Sequence, residues 1–108
     1  VPPRTRPLPP WPDVAALLSP EELAERLAAL PDWAVVDGKL HREIVLEDFA
    51  AAFALMAEVA IWAEKLGHHP EWSNVYNRVT IDLVTHDAGG LTDLDIQLAT
   101  RVDIAVGR

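Results

Sequence analysis

Glu47-Asp48-Phe49-Ala50-Ala51-Ala52-Phe53-Ala54-Leu55-Met56-Ala57-Glu58-Val59-Ala60-Ile61-Trp62-Ala63-Glu64-Lys65-Leu66, closed by Gly67, is the stretch on which the fold turns. Its apolar residues recur at helical spacing, so it predicts one long helix. Phe49, Phe53, Met56, Ala60 and Ala63 form one stripe, and Leu55, Val59, Trp62 and Leu66 a second beside it. Ala50, Ala57 and Ile61 carry the apolar surface further round, leaving a polar strip through Glu58 and Lys65. A helix apolar on nearly all sides is covered on more than one side. A domain this small covers one face with its own sheet, and the rest points to a subunit interface. Gly67 ends the helix as a left-handed cap, and Pro70 biases His69 towards extended backbone.

Outward from this helix, each flank reads as a hairpin. Before it, Asp37-Gly38 is a two-residue turn signal between Trp33-Ala34-Val35-Val36 and Leu40-His41-Arg42-Glu43-Ile44-Val45. Leu40, Ile44 and Leu46 share one strand face, with His41 and Glu43 on the other, where His41 is a solvent-face residue without a role. After it, Trp72 to Thr85 forms a second hairpin turning near Tyr76-Asn77, with Val79, Ile81 and Leu83 pointing one way and Thr80, Asp82 and Val84 the other. His86 falls at that strand's end. At the outer flanks, Ser19, Pro20 and Glu22 give a capped helix start carrying Leu23, Leu27 and Leu30 and stopped by Pro31. Thr92 with Asp95 caps a last helix carrying Leu94, Leu98, Val102 and Ala105. The order helix, two strands, helix, two strands, helix predicts an α+β domain over residues 19–108. Its four-stranded antiparallel sheet has three helices on one face. Residues 1–18 read as a Pro-rich, extended or disordered arm, with six prolines and two arginines by Pro12.

Composition narrows the function. A chain of 108 residues is one domain, and its apolar half fits a globular protein. The net charge of -8 argues against a nucleic-acid backbone or an anionic membrane as direct partner. With no cysteine there is no disulfide framework, thiolate nucleophile or thiolate-bound zinc. No apolar run reaches transmembrane length, and no signal-peptide core stands at the start, so the cytoplasm is the expected location.

Three of the four histidines fall in two short segments, Gly67-His68-His69-Pro70-Glu71-Trp72 and Thr85-His86-Asp87. Histidine titrates near neutrality, which suits proton transfer or metal binding. Glu64 and His68 are four apart at the helix end, where the dipole also favours a cation. A single surface histidine is ordinary, Asp95 is explained by capping, and Trp72 alone is more often core. Three histidines at two element ends are harder to dismiss. Zinc is the rival reading, but two histidines four apart on a helix are absent and adjacent ones chelate one ion poorly. Gly89-Gly90 lacks the spacing of a phosphate loop, and there is no Gly-x-Ser-x-Gly elbow.

The ordered set Glu64-x-x-x-His68-His69-Pro70-x-Trp72, Asn74-Val75-Tyr76-Asn77, Thr85-His86-Asp87 and Gly90-Leu91-Thr92-x-x-Asp95 resembles the pterin-4a-carbinolamine dehydratase family, in register from Ser19 onward. The resemblance implies an enzyme, a hydro-lyase that dehydrates 4a-hydroxytetrahydropterin to quinonoid dihydropterin and water in tetrahydrobiopterin recycling. It implies His68, His69 and His86 as catalytic residues around the pterin. Glu64, Gly67, Trp72, Thr85, Asp87 and Asp95 are implied to lie at the substrate. No metal or other cofactor is implied. Homodimers or homotetramers are, with the central helix in tetramer packing. The alternative is a non-catalytic dimerisation or scaffold protein of the same fold. One departure stands out: Gly67 occupies a place commonly held by Asn or Asp in the family.

Overall fold

A computed structural model describes residues 16–107. The arm expected over the first residues lies outside them as far as residue 15. Helix α1 spans Pro20–Leu27, with Ser19 and Glu22 closing a reciprocal capping box. It ends a turn earlier than the leucine spacing implied, and Leu30 is buried in the turns that follow. Strands β1 (Ala34–Val36) and β2 (Lys39–Val45) flank the Asp37-Gly38 turn, where both residues take positive φ, 51° and 76°. That geometry matches the twist of the strands it joins, which is why Asp-Gly marks such hairpins.

Helix α2 spans Phe49–Leu66, starting after Asp48, whose side chain accepts from the Ala51 amide. Strands β3 (Glu71–Val75) and β4 (Arg78–Leu83) join through Tyr76-Asn77, and Tyr76 takes φ 50°. Asn74 steadies this turn by donating from Nδ2 to the carbonyls of Tyr76 and Arg78. A single 3-10 turn, His86–Ala88, follows, so His86 stands just past the strand and not at its end. Helix α3 spans Asp93–Val106 and opens on the Thr92–Asp95 capping box.

The sheet is wholly antiparallel in the order β1-β2-β4-β3. Strand alternation buries Leu40 and Ile44 on β2 and Val79, Ile81 and Leu83 on β4. These residues form one core with Ala52, Leu55, Val59 and Ala63 of α2 and Ile96, Leu98, Ala99 and Val102 of α3; Leu23 and Leu27 of α1 pack against it. All three helices therefore cover the same sheet face. Arg42 also points inward, and Asp103 of α3 satisfies it while accepting from the Trp33 indole. Among the described residues, no helix is long and apolar enough to cross a membrane.

The apolar surface of α2 divides differently from the two expected stripes. Its buried residues recur every three or four positions, at Ala52, Leu55, Val59 and Ala63. Phe49 and Phe53 are 51% and 59% exposed, and Ile61 is 58% exposed. The sheet and α3 reach only one side of the helix, so among the described residues this second face has no cover.

Candidate active site

The candidate residues gather at one corner, where α2 ends, β3 begins, β4 ends and α3 starts. Gly67 makes the corner possible. It takes φ 63°, and the amides of Gly67 and His68 fold back onto the carbonyls of Glu64 and Ala63. This is the Schellman closure, which needs a left-handed residue at that point. The reversal tucks His68 inward against the head of α3, where it is 8% exposed.

There His68 meets Asp95, a fully buried carboxylate, with Nε2 2.6 Å from Oδ1. Asp95 Oδ2 accepts from the Thr85 hydroxyl at 2.8 Å and from the Thr92 amide at 2.9 Å. The proton bookkeeping then closes around the ring of contacts. Thr85 gives its hydroxyl proton to Asp95, so Thr92 Oγ1 donates to Thr85 Oγ1 across 2.8 Å and itself accepts from the Leu94 amide. A carboxylate only accepts, so Nε2 of His68 carries the proton, and in the neutral ring Nδ1 is the acceptor nitrogen. The network sits at the N-terminus of α3, where the helix dipole favours the carboxylate.

His69 and His86 lie outside this network. His69 is exposed, and its Nε2 contacts Glu64 Oε1 at 2.6 Å. Glu64 thus meets His69, the neighbour of the His68 that the four-residue spacing suggested, because the Gly67 turn carries His68 inward and leaves His69 over the last helical turn. His86 is exposed, with Nε2 3.1 Å from Glu71 Oε1, while Glu71 Oε2 accepts from Lys39 at 3.0 Å. The Lys39 ammonium first, and the His86 contact after it, hold the Glu71 carboxyl below its usual range. The chain ties these contacts to the buried pair: His69 follows His68 directly, and His86 follows Thr85.

Of the other expected residues, Trp72 is half-buried and packs against the core, and Asp87 is exposed on the 3-10 turn. Thr85 and Asp95 belong to the buried network; Asp95 caps α3 and binds His68 with the same carboxylate. Three participants were not foreseen: Thr92 as more than a cap, and Glu71 with Lys39. Strand alternation turns Glu71 away from the helices, but its approach to His86 depends on β3 pairing with β4, a long-range fact. His41, read as idle, is half-buried and contacts Asp82 at 2.8 Å across the β2–β4 pair. Among the described residues, no group of three or more His, Asp or Glu side chains is arranged to hold a metal ion. A groove of about 400 Å³ between α1 and α3, lined by residues such as Ala29, Leu30, Ile96 and Ile104, contains none of the histidines.

The fold and this corner have known counterparts. The family model for pterin 4 alpha carbinolamine dehydratase matches residues 16–105. A provisionally named pterin-4-alpha-carbinolamine dehydratase of Solibacter usitatus is 55% identical over 86 residues, covering 80% of this chain and 90% of that protein. Its provisionally named counterpart from Synechococcus is 52% identical over 90 residues, covering 83% and 97%. A crystal structure described as a transcriptional coactivator/pterin dehydratase from Brucella melitensis superposes with a TM-score of 0.80 at 46% identity, covering 83% of this chain and 98% of that one. The chain belongs to the pterin-4-alpha-carbinolamine dehydratase family.

Proposed function

We propose that this protein dehydrates a 4a-hydroxytetrahydropterin to the quinonoid dihydropterin and water by histidine acid-base catalysis. The observation that carries the reading is the buried His68–Asp95 pair, anchored by Thr85 and Thr92 beside two further histidines. In the reaction a hydroxyl leaves C4a and a proton leaves N5. The oxygen needs a proton donor to depart as water, and the nitrogen needs an acceptor. Asp95 fixes the tautomer of His68, so that Nδ1 is available as the acceptor, and balances the charge when that nitrogen gains a proton. His69 or His86, each on a carboxylate, completes the transfer and holds the ring. General acid-base assistance of this kind is worth about a hundred- to ten-thousand-fold. The substrate lowers the demand, because N5 itself pushes the hydroxyl out.

Asp95 acts here as a positioning residue, since it is fully buried and its oxygens are engaged by three protein groups. Glu64, Gly67, Trp72 and Asp87 would frame the pterin from the α2 end, the start of β3 and the 3-10 turn. The test is stopped-flow absorbance of a carbinolamine generated in situ. Loss of the carbinolamine signal at a rate proportional to protein concentration supports the reading. A rate equal to that in buffer overturns it.

The exposed face of α2 favours a second proposal, compatible with the first. Phe49 and Phe53, with ring centroids 6.1 Å apart, and Ile61 would pack against another copy of the chain to form a homodimer or homotetramer. The scaffold reading would use the same face for a different protein.

A further inference from the structure

The sheet face without helices carries an ionic chain that ends on His86 and includes Lys39, to which the proposed chemistry gives no part. Lys39 opens β2, Glu71 opens β3, and His86 follows β4. The Glu71 carboxylate joins the other two, accepting from Lys39 Nζ at 3.0 Å through Oε2 and contacting His86 Nε2 at 3.1 Å through Oε1. Glu71 sits opposite Asp82 in the β3–β4 register, and Asp82 is taken up by His41. Asp87, beside His86 in the turn, is the other nearby carboxylate along the chain.

We propose that Glu71, held by Lys39, is a positioning residue for His86, fixing its ring with Nε2–H towards the carboxylate and Nδ1 as the acceptor nitrogen. The inference rests on the dehydratase reading above. Three features support it. Each Glu71 oxygen has its own contact, Oε2 with Lys39 and Oε1 with His86, so one carboxylate serves both side chains at once. Lys39 stabilises the charged form of Glu71 and holds its carboxyl below the usual range. The pattern repeats, on the surface, what Asp95 does for His68 in the interior: a carboxylate with a second anchor orients an imidazole through Nε2. Among the described residues, Glu71 is the side chain in hydrogen-bond contact with the His86 ring, and its removal takes away the group that distinguishes the two tautomers.

The experiment is a cycle of Glu71→Ala, His86→Ala and the double variant, followed by dehydration kinetics and by 15N NMR of the imidazoles. Glu71→Ala is expected to lower kcat by about two- to fivefold with little change in KM, the size of one exposed hydrogen bond to a carboxylate. In the His86→Ala background it should have no further effect. The wild-type His86 ring should show one tautomer with the proton on Nε2, and Glu71→Ala an averaged pattern. Glu71→Gln, which keeps an acceptor oxygen, should restore most of the loss. Equal effects of Glu71→Ala in both backgrounds, or an unchanged tautomer, would overturn the inference. Absence of turnover in the wild type would instead sink the dehydratase reading, and the NMR comparison would still decide whether Glu71 orients His86.

Discussion

His68 Nε2–H donates to Asp95 across 2.6 Å, and the same carboxylate accepts from two more donors, the Thr85 hydroxyl and the Thr92 amide. Three donors on one buried acceptor leave little freedom to any of them. Asp95→Ala would strand a hydroxyl, an amide and an imidazole, so it should cost about 3–5 kcal/mol of unfolding free energy, read from urea denaturation. The loss should be strongly coupled to His68→Ala in a double-mutant cycle, because the two side chains share one contact. Gly67 bears on the same pair through the backbone. At φ 63° a side chain is strained, so Gly67→Ala should destabilise by about 1 kcal/mol, and Gly67→Asn by less. Asn, Asp and Gly are the residues that most readily take the left-handed conformation. Gly67 therefore keeps the turn while carrying no side chain there.

At the scale of elements, α1 is tied to the head of α3 by the ion pair of Arg26 with Asp93. The Arg26 guanidinium holds the Asp93 carboxyl below its usual value of 3.8 and is itself raised in return. A carboxyl lowered in the folded state adds stability above its unfolded value, and that stability is lost as pH falls through the folded value. Both side chains are about half exposed, so the contribution is small and weakens with salt. Wild type should exceed Asp93→Asn in stability at pH 7, and the gap should close below about pH 4, measured by chemical denaturation across pH. Local signals made most elements readable from sequence: Ser19 with Glu22, Asp37-Gly38, Gly67, and Thr92 with Asp95 each act within a few residues. Strand order was not readable, because placing β4 between β2 and β3 depends on contacts far apart in the chain. Nor was the buried side of α2: a helix apolar nearly all round gives its sequence no preferred direction, so Phe49 and Phe53 could not be told from Leu55 and Val59. The histidine segments were legible as a group. Their partners were not, since the Glu64–His69 and Glu71–His86 contacts depend on a chain reversal and on sheet pairing.

Taken whole, the molecule places a polar corner at one end of a helix whose outer face is apolar. If that face joins copies of the chain, Phe53→Glu should shift the purified protein towards monomer in light scattering while leaving its secondary structure intact. An unchanged mass would place any assembly elsewhere on the surface. The acidic balance of -8 suits a neutral heterocycle better than a polyanion as ligand, in keeping with a pterin. The most direct test of the account compares carbinolamine dehydration by the wild type and by His68→Ala, both shown to unfold cooperatively. The account predicts a fall in kcat/KM of about a hundredfold or more for the variant. A folded His68→Ala protein that turns over as fast as the wild type would contradict it.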